Sequence, residues 1–316
     1  FHFTHGSFAM RGALVVLLLL SGVRCHGSVD QALLDEIMNN PHWSEEYVNT
    51  CNGDKIGGDP GMYCHIYRIF LYTVKVEVRS LEPFLIVLKE FIPIEYADSF
   101  LEEIKKEELH IQSTVDQNTG KNAPSVGRNA NGTFLTHHRY PISSKIFNHI
   151  QQRFPSIDFR KAEQFQVLSY NSGGHYAPHN DYLQYVSEEV ANRCPWYREG
   201  GNRLMTFLFV MQTADKGGGT VFPRIATSVQ PSKGDAIVWL NLDAENGKLE
   251  TSLHGACPIW EGTKTAATLW VRVRGNELLL PCANEKQFDI ERLLYPSEKQ
   301  LLLKRDWKCD NGCYAE

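Results

Sequence analysis

The chain has 316 residues, with 32 Lys+Arg against 37 Asp+Glu and a formal net charge of −5. Hydrophobic residues make up 42% and charged residues 22%, enough apolar material for a core and too much for a wholly disordered chain. A mildly acidic chain with no long Lys/Arg run lacks the cationic surface that a phosphate backbone requires, which excludes nucleic acid as the main partner.

In chain order, Met10-Arg11 precede the apolar run 13–20, and small residues follow toward Gly27. This pattern predicts a secretory signal peptide cut between about Cys25 and Gly27. The run is too short for a bilayer span, so no membrane span is expected in the mature chain. Secretory entry makes bridges the default fate of the remaining cysteines. The local pairings Cys51–Cys64, Cys257–Cys282 and Cys309–Cys313 are geometrically cheap and leave Cys194 over. Asn131-Gly132-Thr133 is a glycosylation sequon in a Gly/Asn-rich stretch read as an exposed loop. The expected location is the endoplasmic reticulum lumen or the exterior. No KDEL-type tail follows Cys313, so lumenal retention would need a partner.

A short helix is predicted over 31–38 and strands over 66–78, where apolar and charged residues alternate. Helical spacing marks 96–109 and 144–154, the second capped by Ser143 or Ser144. From about residue 162 the texture changes to short β-rich runs at 163–170, 203–211, 219–223, 235–242 and 265–274, separated by Gly, Pro and Asn. Several short strands with turn signals predict a sandwich or barrel rather than a βαβ array. The tail from 284 reads as helical near 288–294 and then polar. The expected division is a leader and signal (1–27), an N-terminal segment with a Cys51–Cys64 bridge (28–90), a catalytic domain (91–283) and the tail (284–316).

The segment 170–182, YNSGGHYAPHNDY, carries the chemistry. Pro178 disfavours helix, and in an extended chain positions i and i+2 share a face, so His179 and Asp181 project together. One imidazole and one carboxylate are two-thirds of a facial metal site, which needs a second His. His175 shares the parity of His179, but at ~3.3 Å per residue it lies roughly 13 Å away, too far for one ion. His137 and His138 read as solvated. The second ligand is suggested by 253–264, LHGACPIWEGTK, in which His254 falls in a strand and Lys264 starts the next. A hairpin would bring both to one barrel mouth. A buried dicarboxylate end needs a cation, which Lys264 could supply, although an ordinary exposed lysine is the plainer alternative. Trp239, Phe207 and Phe209 read as core.

Taken together, His179, Asp181, His254 and Lys264 resemble the site of iron(II)/2-oxoglutarate dioxygenases. The surrounding text is similar to the catalytic domain of collagen-type prolyl 4-hydroxylases: Y-x-P-H at 176–179, GNR at 201–203, GGGTVFP at 217–223, WLNL at 239–242 and H-x-A-C-P at 254–258. The likeness is strong over about 160–282 and weak over 47–159.

The resemblance implies a mainly β fold with flanking helices around a double-stranded β-helix, or jelly-roll, core. It implies iron bound by His179, Asp181 and His254. Lys264 would pair with the distal carboxylate of 2-oxoglutarate, and Tyr170 and Thr220 would hydrogen-bond that cosubstrate. Tyr176, Arg203 and Trp270 would line a peptide groove. The implied reaction is 4-hydroxylation of peptidyl proline in a proline-rich secreted protein such as collagen, with L-ascorbate as auxiliary reductant and protein disulfide isomerase as a possible partner. Lys264, where lysyl hydroxylases usually carry Arg, favours prolyl over lysyl substrates. Arg272 stands where the family commonly has His, which opens the substrate preference. The rivals are a related dioxygenase on another Pro-rich protein or on lysine, and a non-catalytic collagen-binding relative.

Overall fold

The computed structural model describes residues 31–52, 63–115, 122–123, 125–185, 187–243, 245–279, 288 and 300–306. The expected signal peptide, the helix over 288–294 beyond Phe288, and Cys282, Cys309 and Cys313 lie outside the described residues.

Two antiparallel sheets face each other. The larger has ten strands among the described residues, in the order Gln300–Asp306, Tyr63–Ile69, Tyr72–Leu81, Phe84–Lys89, Ala236–Leu240, Arg203–Gln212, Lys264–Arg272, Phe165–Tyr170, Asn131–Leu135, His110–Ile111. The smaller runs Thr227–Val229, Thr220–Phe222, His254–Ala256, His175–His179, Arg128–Asn129. This is the expected jelly-roll core with flanking helices.

Residue parity explains the layering. In Lys264–Arg272, Ala267, Leu269 and Val271 enter the main hydrophobic core, while Lys264, Ala266, Thr268 and Trp270 face the space between the sheets. Phe165 and Val167 likewise join the core as Gln166, Leu168 and Tyr170 turn inward. The core lies on the outer face of the large sheet under the helices Ile94–Ile104 and Pro141–Arg153, which contribute Ala97, Phe100, Ile104, Ile142, Ile146, Phe147 and Ile150. Burying each large side chain there is worth about 1.5–3 kcal/mol, so the helices anchor the sheet from behind. Phe207 and Phe209 sit in this core as expected.

Several sequence expectations shift. The second long helix begins at Pro141, whose fixed φ suits the first turn, and Ser143 acts from inside it by accepting the Tyr140 N–H at 3.0 Å. The first ends at Ile104, leaving Leu109 packed on the core from a non-helical segment. The sequon lies in the paired strand Asn131–Leu135 and not in a loop; a Cβ on Gly132 would stand 2.4 Å from Val167 O, so this glycine permits the close strand approach. The polar tail contains an edge strand, Gln300–Asp306, on Tyr63–Ile69.

The N-terminal helices Gln31–Met38 and Glu45–Asn52 cover the smaller sheet, where Ile37, Trp43 and Val48 pack with Ala177, Val221 and Trp260. This packing brings Cys51 to Cys257, and the two form a disulfide with Cα atoms 5.7 Å apart. The expected Cys51–Cys64 and Cys257–Cys282 bridges are therefore corrected: three-dimensional packing, not proximity along the chain, selects the partner. Residues 63–89, expected as part of a separate segment, supply three strands of the large sheet, with Phe84–Lys89 paired to Ala236–Leu240.

Candidate active site

His179 ends the strand His175–His179, and His254 begins His254–Ala256. The two are direct antiparallel partners, which sets their ring centres 4.5 Å apart. Asp181 follows two residues beyond the strand end and turns its carboxylate to both: Oδ1 lies 3.8 Å from His179 Nε2, and Oδ2 lies 3.6 Å from His254 Nε2. One ligand atom from each of the three falls within 4.8 Å of the others. His175 takes no part; its ring nitrogens engage the carbonyls of Gly173 and Val126.

Each ligand is oriented from behind. His179 Nδ1 meets Ala177 O at 2.9 Å, and His254 Nδ1 meets Ser252 O at 2.9 Å. A carbonyl only accepts, so both Nδ1 atoms carry the proton and both Nε2 lone pairs face the centre. Burial, then the neighbouring His254, pushes the His179 pKa down and keeps the ring a neutral donor. Burial opposes ionisation of Asp181, but His254, Arg203 and His179 hold its carboxyl below the usual range. Two neutral imidazoles and one carboxylate, with the cavity side open, suit a divalent iron centre.

The cavity is walled by Leu168, Leu208 and Trp239 among others. Trp239, expected only as core, also lines this space and packs 4.5 Å from the His254 ring. Lys264 faces Tyr170 across neighbouring strands and is 2% exposed. Its Nζ donates to Gly218 O at 2.6 Å, and burial without a described carboxylate partner pulls its pKa down to about 8. Thr220 presents a buried hydroxyl with no hydrogen-bond partner among the described residues. Burial raises the Tyr170 phenol and keeps it a hydrogen-bond donor. A buried ammonium from the larger sheet and an orphaned hydroxyl from the smaller one, both lining the cavity, fit the far carboxylate of a dicarboxylate. The hairpin expected between His254 and Lys264 does not form. The chain crosses from the smaller sheet to the larger, and the intervening Ile259–Glu261 pairs with Lys216–Gly217.

Elsewhere in the cavity, Tyr176 stacks 3.7 Å from the His179 ring, with Arg128 over the Tyr176 ring at 4.3 Å. Arg203 lies 3.5 Å over Trp270 and is gripped by Glu163. Arg272 does not line the cavity; it bonds Glu163 and the carbonyl of Gly201. His137, expected in solvent, stacks 3.8 Å from Phe147 and bonds Glu163 O.

Sequence reasoning missed Glu163, Arg128, Thr206 and Asn241. The one available signal for the last two is a polar residue inside an apolar strand run.

Residues 165–272 match the profile of the 2OG-Fe(II) oxygenase superfamily. Prolyl 4-hydroxylase subunit alpha-1 of Gallus gallus is 30% identical over 247 residues, covering 75% of this chain and 47% of that protein. Prolyl 4-hydroxylase subunit alpha-2 of Caenorhabditis elegans is 29% identical over 255 residues, covering 77% and 46%. The chain thus spans just under half the length of the curated relatives it matches. A solved viral collagen prolyl hydroxylase from Paramecium bursaria Chlorella virus-1 is similar at a TM-score of 0.47 and 23% identity, covering 59% of this chain and 94% of that one. Among the described residues, no helix is long and apolar enough to cross a membrane. The family implies iron(II) and 2-oxoglutarate, for which the His–Asp–His set and the Lys264 wall are suited. Residues 165–272 thus carry the 2OG-Fe(II) oxygenase superfamily pattern, and three quarters of the chain is similar to prolyl 4-hydroxylase alpha subunits.

Proposed function

We propose that this chain hydroxylates C4 of peptidyl proline in collagen-like, proline-rich secreted proteins, consuming O2 and 2-oxoglutarate and releasing succinate and CO2. The observation that carries this reading is the cross-strand pair His179–His254 closing on Asp181, in a cavity that also holds a buried lysine without a counter-anion among the described residues. Bound iron(II) supplies the oxygen-activating chemistry that no side chain can provide.

The chain's own residues bind, orient and exclude water. His179 and His254 offer Nε2 and Asp181 its carboxylate. Lys264 and Thr220 receive the distal carboxylate of 2-oxoglutarate, and Tyr170 donates its phenolic hydrogen to the same molecule. Leu168, Leu208 and Trp239 keep bulk water from these charges, which strengthens each interaction. Tyr176, Arg203 and Trp270 present aromatic and cationic faces on which a proline ring and peptide carbonyls can settle. A proline-rich segment already favours polyproline II, so little ordering is lost on binding.

L-Ascorbate belongs to this reading as the reductant for turnovers uncoupled from peptide. The basic-apolar leader and the Asn131 sequon support entry into the endoplasmic reticulum lumen and glycosylation there, with protein disulfide isomerase as the candidate retention partner. The test incubates Pro-Pro-Gly peptides with iron, 2-oxoglutarate, ascorbate and the chain. Hydroxyproline and succinate should appear in equal amounts, and His179→Ala should abolish both. Succinate formed with lysyl peptides but not prolyl ones would transfer the assignment to lysine; no succinate with either would end it.

A further inference from the structure

Asp181 differs from the other two ligands in one respect: its backbone lies outside any strand, whereas His179 and His254 are pinned by their mutual pairing. Its side chain is instead tied across to the opposite sheet. Thr206 Oγ1 stands 2.7 Å from Asp181 Oδ2, and Asn241 Nδ2 stands 2.9 Å from Thr206 Oγ1. Thr206 and Asn241 are both fully buried, and neither lines the cavity.

The directions of these bonds are fixed by chemistry. A carboxylate only accepts, so the Thr206 hydroxyl hydrogen points at Oδ2. The hydroxyl oxygen must then receive a donor, and Asn241 can supply one only through Nδ2. Thr206 belongs to Arg203–Gln212, the strand held between Ala236–Leu240 and Lys264–Arg272, where its partners are Trp239 and Trp270. Asn241 is held in turn by its backbone, N–H to Leu204 O at 2.9 Å and C=O from Leu249 N–H at 3.1 Å. A rigid central strand therefore reaches through the sandwich to a carboxylate that has no sheet of its own.

Resting on the metal-centre reading above, we infer that Thr206, oriented by Asn241, is a positioning residue that fixes the Asp181 carboxylate for metal binding. The bond occupies one lone pair of Oδ2 and stops the group from turning about its terminal torsion. Without it, Asp181 must be ordered at the moment the metal arrives, and affinity falls.

The test is anaerobic titration of the full chain with Co(II) alone, followed by calorimetry and by the visible absorption of the bound ion. Thr206→Val should weaken Co(II) binding about 10–100-fold, the usual cost of losing an outer partner of a ligand, and should change the absorption band. Thr206→Ser, which keeps the hydroxyl, should bind like the wild type with the same band, and Asn241→Leu should fall between. Equal Co(II) affinity and spectrum for Thr206→Val and wild type would overturn the inference, as would a loss in Thr206→Ser as large as in Thr206→Val. If Thr206→Val does not fold, Asn241→Leu decides: weakened binding supports the role, and unchanged binding ends it. A wild type that binds no Co(II) would instead remove the metal centre itself, a separate failure.

Discussion

Glu163 grips Arg203 with both carboxylate oxygens, at 2.7 and 2.8 Å, and its Oε1 takes a further hydrogen bond from Arg272 at 2.6 Å. Two guanidinium groups thus share one carboxylate at the edge of the cavity. Burial opposes ionisation of Glu163, but the two arginines hold its pKa below the usual range. Arg203 in turn lies flat on Trp270 and 3.8 Å from Asp181 Oδ1. Arg272 takes up the third corner by bonding the carbonyl of Gly201. Arg272 therefore braces, through Glu163, the guanidinium that lies on Trp270.

Glu163→Gln would leave these cations facing each other with the countercharge gone. Breaking a buried pair by removing one partner costs about 3–5 kcal/mol, and the partial exposure here places the expected loss near the lower end, about 3 kcal/mol. Arg203 would lose its hold over Trp270, so the peptide KM should rise roughly tenfold while the 2-oxoglutarate KM stays put. Urea unfolding and the two KM values check both halves.

Lys264 predicts a pH dependence. Its pKa is drawn down to about 8 by burial, and only the protonated form attracts a carboxylate. Affinity of the metal-loaded chain for 2-oxoglutarate should be constant below that value. Above it, affinity should weaken about tenfold per pH unit, until the cost of protonating the amine is met by the ligand. Lys264→Met should abolish this dependence and weaken binding about 100-fold or more. Its thermal midpoint should not fall below the wild type, because the substitution removes a buried charge that has no counter-charge among the described residues. Calorimetric titration between pH 6.5 and 9.5 measures the first effect.

The legible part of the molecule was the part that repeats locally. Strand alternation in 265–274 and 163–170 announced which residues face inward, and H-x-D followed by a distant His and Lys announced the chemistry. What stayed hidden was contact between segments far apart in the chain. Thr206 sits inside RLMTFLFVM, where one polar residue reads as noise until Asp181 is seen behind it. The same limit explains the cysteines: nearness in sequence pointed from Cys51 to Cys64, whereas the helix Glu45–Asn52 docks on Thr220–Phe222 and Thr227–Val229 and so reaches Cys257.

The Cys51–Cys257 bridge spans 206 residues of sequence and closes three residues past His254. Cross-linking so long a loop restricts the unfolded chain, and removing such a bond typically costs about 2–5 kcal/mol. Cys51→Ser should lower the thermal midpoint accordingly. Reductant should lower the wild type toward the variant and leave the variant nearly unmoved. Proteolysis under non-reducing conditions followed by mass spectrometry should recover the Cys51 and Cys257 peptides joined. Recovery of Cys51 joined to Cys64 would contradict the packing of the N-terminal helices on the smaller sheet.

His149 sets an acid limit on the scaffold. It lies in the helix Pro141–Arg153 with its Nε2 2.6 Å from Phe91 O and its ring edge-on to Phe91 and Tyr96. Burial, and then the charge of Arg153, pushes its pKa from 6.5 down to about 4. The unfolded chain therefore binds a proton at this site more readily than the folded one, so stability is complete above about pH 6.5 and declines as pH falls toward 4. The contribution is up to about 3 kcal/mol at the acid end. His149→Gln, which can still donate to Phe91 O, should flatten this part of the stability profile while costing about 1 kcal/mol at neutral pH. Urea unfolding at pH 7.5, 6, 5 and 4 distinguishes the two curves, and parallel curves would assign the acid sensitivity to another group.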